Sequence, residues 1–223
     1  MPNNNAPQRK QVIHTVLYSL VLAVVCASIL TGVGLAIRPL RDSNEKADMY
    51  RNILGVLRVP FEPGATSQEL VAIFDKNVRR TEPKQGKWAG LQLYEYVPSG
   101  ETRPRAVAVP FQGQGLWGPI KGFLATDPQF TRILTISFYD QAETPGLGGD
   151  IDTDSFCRRF EGKLLVGQTG VPGIRLVRPG SARADNDVDA ISGATLTCGK
   201  VEAMLNDVIR RVIEAREDHE QKR

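Results

Sequence analysis

Histidine is almost absent from this chain: of 223 residues only His14 and His219 carry an imidazole, and they stand near opposite ends. A histidine-ligated metal site and a Ser/His/Asp or Cys/His catalytic set both need an imidazole beside other reactive groups, so neither can be assembled here. Cysteine is scarce too. Cys26, Cys157 and Cys198 form no C-x-x-C pair and show no metal-like spacing. Cys26 lies in an apolar run, while Cys157 and Cys198 leave two options open: a disulfide in an oxidising compartment, or two free thiols. An excess of one charge is also lacking. The net charge is +3 and the basic residues are spread along the chain, which gives no basic face for nucleic acid.

Charged residues are missing altogether from Gln11 to Ile37. As a helix, these 27 residues would span about 40 Å, more than the roughly 30 Å hydrocarbon core of a bilayer. A cleavable signal peptide competes with a membrane anchor, because Arg9 and Lys10 make a positive start and Ala27-Ser28 are small. The run is longer than a signal core and has no clean small-x-small ending before Arg38, so an uncleaved transmembrane helix over 11–37 is expected after a short segment, 1–10. Arg9 and Lys10 precede the helix, whereas Arg38, Arg41, Lys46 and Arg51 follow it. A strict count would put the C-terminal part in the cytoplasm, and the charge rule does not decide the orientation.

Beyond the anchor, residues 40–223 read as one α+β domain. Met49, Ile53, Leu54 and Leu57 suggest a short helix over Ala47–Leu57. Thr66-Ser67-Gln68-Glu69 is a capping box, and behind it Leu70, Ile73, Phe74 and Val78 make one helical stripe. Four short segments rich in branched and aromatic residues follow: Gly90–Val97, Arg105–Phe111, Ile120–Ala125 and Ile133–Tyr139. Their close spacing, with little helix between them, predicts a largely antiparallel sheet flanked by helices. Asp154–Phe160 reads as a short helix and Gly173–Val177 as a further strand. The final helix, about Leu196 to Ala215, carries Val201, Met204, Leu205, Val208, Ile209, Val212 and Ile213 on one face, with a charged, frayed tail beyond Arg216.

Three glycine-rich stretches remain. Gly113-Gln114-Gly115-Leu116-Trp117-Gly118-Pro119 lies between two predicted strands, not between a strand and a helix, so no conventional dinucleotide fold is indicated. Leu116 and Trp117 can pack on an aromatic cofactor, and Trp117 can equally be a core aromatic. Glu143-Thr144-Pro145-Gly146-Leu147-Gly148-Gly149-Asp150 makes a tight backbone loop that can lay main chain and one aliphatic side chain against a flat ring. Asp189-Ala190-Ile191-Ser192-Gly193-Ala194-Thr195 places a hydroxyl behind two residues with almost no side chain, at the start of a helix. The positive end of that helix favours an anion near Thr195, and Asp189 or Ser192 can cap it. Alone, Ser192–Thr195 reads first as a plain helix start after a turn. Together the stretches suit something flat and phosphorylated, in a domain with no acid–base machinery and no catalytic residues of its own.

The ordered motifs Gly-Leu-Trp, Glu-Thr-Pro-Gly-Leu-Gly-Gly and Asp-x-x-Ser-Gly-Ala-Thr-Leu-Thr, behind a single anchor, resemble the NqrC family, the C subunits of sodium-translocating NADH:quinone oxidoreductases. They are also similar to the G subunit of the Rnf electron-transport complex, which shares the FMN-binding domain. The likeness covers the anchor and most of residues 88 to 213. It implies FMN joined through its phosphate to Thr195 by a flavin transferase, with Asp189, Ser192, Gly193 and Ala194 completing the recognition motif. It further implies that Gly115, Leu116, Trp117, Thr144, Pro145, Gly146 and Leu147 line the flavin pocket. The domain would then lie on the periplasmic side of a bacterial inner membrane, as an electron-transfer subunit among other membrane subunits. Gly118-Pro119-Ile120 leans toward the Rnf relative, and the chain is short for the sodium-pump subunit. The alternatives are therefore an Rnf-type subunit, a stand-alone flavoprotein donating to another membrane reductase, or a flavin-free tethered assembly domain.

Overall fold

Alternation along one strand organises the domain. In β3 (Ala106–Gln114), Ala106 and Ala108 enter one buried cluster, while Val107, Val109 and Phe111 enter another. Successive strand side chains point to opposite faces, so a strand apolar on both must be covered on both. The computed structural model describes residues 5–83 and 87–221, and in it both faces of this sheet are covered.

The chain divides into two units, Met1–Lys46 and Ala47–Arg223. The first is helical from Asn5 onward within α1 (Asn5–Val56). Its stretch His14–Arg38 has a mean hydropathy of 2.6, is not buried within the chain, and is long and apolar enough to cross a membrane. Residues 1–4 of the expected N-terminal segment lie outside the described residues.

In the second unit, the sheet is a meander in the order β1-β2-β3-β4-β5 with every neighbouring pair antiparallel. The other strands are β1 (Val78–Thr81), β2 (Leu93–Tyr96), β4 (Pro119–Thr126) and β5 (Ile133–Asp140). One face packs on Ile53 and Leu54 from the end of α1 and on Leu70 and Phe74 of α2 (Ser67–Asn77). The capping box forms as the sequence predicts: the Glu69 N–H donates to Thr66 Oγ1 at 3.4 Å and the Thr66 N–H to Glu69 Oε2 at 2.7 Å.

Val78 corrects the expected helical stripe. The helix ends at Asn77 and Val78 opens β1, yet it stays buried in the same cluster as Leu70 and Phe74. A shared core, reached by two different elements, produced the helical spacing.

The other face carries α4 (Thr195–Gln221). Val201, Leu205, Val208, Ile209, Val212 and Ile213 are all buried against it, as the apolar periodicity predicts. The helix runs past Arg216 through the segment expected to fray. Between β5 and α4 lie a 3-10 turn at Gly148–Asp152, the short α3 (Asp154–Cys157), and β6 (Arg175–Val177) with β7 (Asp187–Asp189). That last pair is parallel, an exception to the expected antiparallel order, and β7 has too few residues to leave an alternation signal. Cys157 and Cys198 are free thiols.

Candidate functional site

The three glycine-rich stretches converge at one end of the domain. The first is the tip of the β3–β4 hairpin: Gln114 pairs with Pro119, and the Gly115 N–H donates to Gly118 O at 2.8 Å. This closes a tight turn and projects Leu116 and Trp117 outward. The second stretch leaves β5 and folds on itself, with the Leu147 and Gly149 N–H groups both donating to Thr144 O. Gly146, at φ 75°, takes the left-handed conformation that bends this loop. The third delivers the chain into α4 through Gly193, at φ 77°.

One carboxylate ties them together. Glu143 Oε1 accepts from the backbone N–H of Leu116 at 2.7 Å and of Trp117 at 3.1 Å. Its Oε2 accepts from the Thr197 hydroxyl at 2.5 Å. Glu143 is 5% exposed and Thr197 3%. Burial pushes the carboxyl upward, but the hydrogen bonds from Thr197, Trp117 and Leu116 outweigh it and hold Glu143 below its ordinary value. A buried, ionised group therefore joins the hairpin tip, the loop after β5 and the first turn of α4.

Above it lies a cleft of about 180 Å³ lined by Leu116, Trp117, Thr144, Leu147, Thr195 and Leu196, with Gly148, Gly193, Ala194, Glu143 and Thr197 beneath. Its rim is unusually apolar for a surface. Trp117 is 70% exposed, Leu196 68%, and Leu116 and Leu147 45% each. Thr195, also exposed, stands in the first turn of α4.

The expected cap is absent. Ala194 precedes the helix and its carbonyl accepts from the Cys198 N–H, so no side-chain oxygen occupies the capping position. Asp189 Oδ1 instead accepts from the Ser181 and Ala182 N–H groups, and Ser192 is exposed on the turn. The first N–H groups of α4 are thus left for solvent or an anion. The approach to this turn is held from behind by Arg159, whose guanidinium donates to the carbonyls of Asp189 and Ala190, both at 3.0 Å.

Of the residues singled out from the sequence, Leu116, Trp117, Thr144, Leu147, Gly193, Ala194 and Thr195 line the cleft, while Gly115, Pro145, Gly146, Asp189 and Ser192 support it from outside the lining. Sequence reasoning gave Glu143, Gly148 and Leu196 no individual role, and Thr197 only that of a second hydroxyl near Thr195. The available signal was a glutamate heading a glycine-rich loop with no helix start or basic neighbour to account for it.

A floor of small residues, a rim of exposed apolar side chains and a hydroxyl at an uncapped helix N-terminus suit a flat ring system with a phosphate. The cleft is smaller than the several hundred Å³ of a typical enclosed ligand site, so such a group would stay partly open to solvent.

Residues 115–210 match the FMN-binding domain family, a span that takes in the second and third stretches and the first from Gly115 onward. The chain is 29% identical to the C subunit of the Na(+)-translocating NADH-quinone reductase of Pasteurella multocida, over 84% of this chain and 85% of that protein. It is 28% identical to the Pseudomonas aeruginosa protein of the same name, over 86% and 89%. Among solved structures, the C subunit of the Parabacteroides distasonis reductase superimposes with a TM-score of 0.66 at 24% identity, covering 81% of this chain and 96% of that one. NqrC of Shewanella oneidensis gives a TM-score of 0.62 at 24% identity, over 74% and 93%. These structural likenesses establish the fold.

Proposed function

Starting from a chain that is homologous over most of its length to the C subunits of the sodium-translocating NADH-quinone reductases and carries an FMN-binding domain, we propose that it is the FMN-carrying electron-transfer subunit of such a complex. The observation that carries this reading is the exposed Thr195 hydroxyl at the uncapped start of α4, facing a rim of exposed apolar side chains. Bound FMN would supply the one- and two-electron chemistry, and the protein would supply binding, orientation and electrostatics.

Thr195 Oγ1 would be the tether: a flavin transferase would join it to the FMN phosphorus, the hydroxyl losing its proton and the phosphate losing the group it carried in the flavin donor. The free N–H groups of the first turn and the positive end of α4 stabilise the phosphate charge that remains. Gly193 and Ala194 let it approach the backbone. Leu116, Trp117, Leu147 and Leu196, which rim the cleft, would pack against the ring system and limit water around it. Thr195 is an attachment point, and the bond prevents loss of a cofactor that would otherwise be dilute outside the cytoplasm.

The apolar segment of α1 anchors the protein in the bacterial inner membrane, with the domain on the periplasmic side and other membrane subunits passing electrons to and from it. Between His14 and Arg38 at its ends, the span offers only Tyr18 and a few Ser and Thr as polar groups, so ion movement belongs mostly to those subunits.

Mass spectrometry of protein produced with an active flavin transferase tests the reading. Thr195 should be heavier by FMN less water, and Thr195→Ala should lose covalent flavin while keeping its melting temperature. An unmodified Thr195 under those conditions sinks the proposal. Thr197 is not a substitute acceptor, because its hydroxyl is buried and bonded to Glu143.

A further inference from the structure

Glu143 does more than hold loops together. Among the described residues lining the cleft, it is the one that ionises; the rest are Leu, Trp, Thr, Gly and Ala. Its carboxylate is buried, and its three hydrogen-bond donors are two backbone N–H groups and a hydroxyl, none of which carries a compensating formal charge. No salt bridge reaches it among the described residues. A fixed negative charge thus stands buried in the lining of the cleft, where electrostatic effects are less screened than in water.

We propose that Glu143 sets the redox potential of the cleft, its carboxylate opposing the negative charge that reduction brings there. This rests on the flavin reading above. Each electron delivered to the cleft by a donor subunit adds one negative charge unless a proton accompanies it, and a carboxylate already present makes that addition less favourable. Glu143 is in this sense a tuning residue: it takes up no electron and transfers no proton.

The bonding pattern permits a clean separation of charge from structure. In Glu143→Gln, the amide oxygen can still accept from the Leu116 and Trp117 N–H groups, and the amide NH2 can donate to Thr197 Oγ1, whose hydroxyl also accepts. The variant keeps the ties and loses the charge. Glu143→Asp does the reverse, keeping the charge and shortening the reach.

The experiment is a spectroelectrochemical titration of full-length wild type, Glu143→Gln and Glu143→Asp, each produced with the flavin transferase, alongside their flavin content and melting temperatures. The Gln variant should have a higher midpoint potential than wild type at equal flavin content, and the Asp variant should stay near wild type even where its melting temperature falls. Equal potentials in wild type and the Gln variant overturn the inference alone. So does an Asp variant that shifts upward as far as Gln, since geometry would then be responsible. A wild type without covalent flavin overturns both the inference and the function on which it rests.

Discussion

Replacing Thr197 with Val removes one hydroxyl and almost no volume, which isolates the bond that joins α4 to Glu143. The hydroxyl is 3% exposed and donates to Glu143 Oε2 at 2.5 Å. A hydrogen bond to a charged group contributes about 1.5–3 kcal/mol, and leaving the acceptor buried without its donor puts the loss toward the middle of that range, about 2 kcal/mol. For a domain of this size that lowers the melting temperature by roughly 4–8 °C. The loss should also depend on pH. A carboxyl held below its ordinary value in the fold stabilises the fold fully above 4.5, the ordinary value, and that contribution disappears as pH falls through the folded value. Val removes one of the bonds that lower it, so the gap between wild type and variant should be widest at neutral pH and should close on acidification below 4.5. No other described residue lining the cleft ionises, so the acid-dependent part of the gap belongs to Glu143. Urea denaturation of both proteins across this range measures it. A gap under about 0.5 kcal/mol at neutral pH, the size of an ordinary surface substitution, would mean that the Thr197–Glu143 bond does not hold α4 to the loop, as would a gap of constant size on both sides of the transition.

Gly148→Ala should destabilise the domain by about 1–3 kcal/mol in the same denaturation assay, because a Cβ there would collide with Thr197 Oγ1 and lie 2.9 Å from Glu143 Oε2; a neutral substitution would mean that the loop relaxes freely. Burial, then the nearby Asp154 and Asp152 carboxylates, push the Cys157 thiol up to about 12. Alkylation of Cys157 at about pH 8 should accordingly be at least about tenfold slower in the folded protein than in urea, as followed by peptide mapping, and equal rates would contradict the burial.

What the sequence made legible was local. The Thr66–Glu69 box and the apolar face of α4 depend on neighbours a few turns away at most, and each appears in the fold where expected. Val78 and β7 were not legible, the first because burial in a common core imitates helical spacing and the second because three residues are too few to show a period. The Glu143–Thr197 bond spans 54 positions and was invisible for the same reason: no local pattern reports which distant hydroxyl a carboxylate will meet. Its consequence reaches back into the motifs. Small residues in such stretches suggest room for a cofactor to approach the backbone, and Gly193 and Ala194 do line the cleft. At Gly115 that account does not suffice, since an added Cβ would sit 2.6 Å from Glu143 Oε1, and at Gly148 it would meet Glu143 and Thr197. Those two glycines make room for the chain's own carboxylate. A charge buried at the cost of two glycines and satisfied from three directions is expensive to build into a fold, and its position in the cleft wall is the strongest reason to assign it work beyond holding the loops.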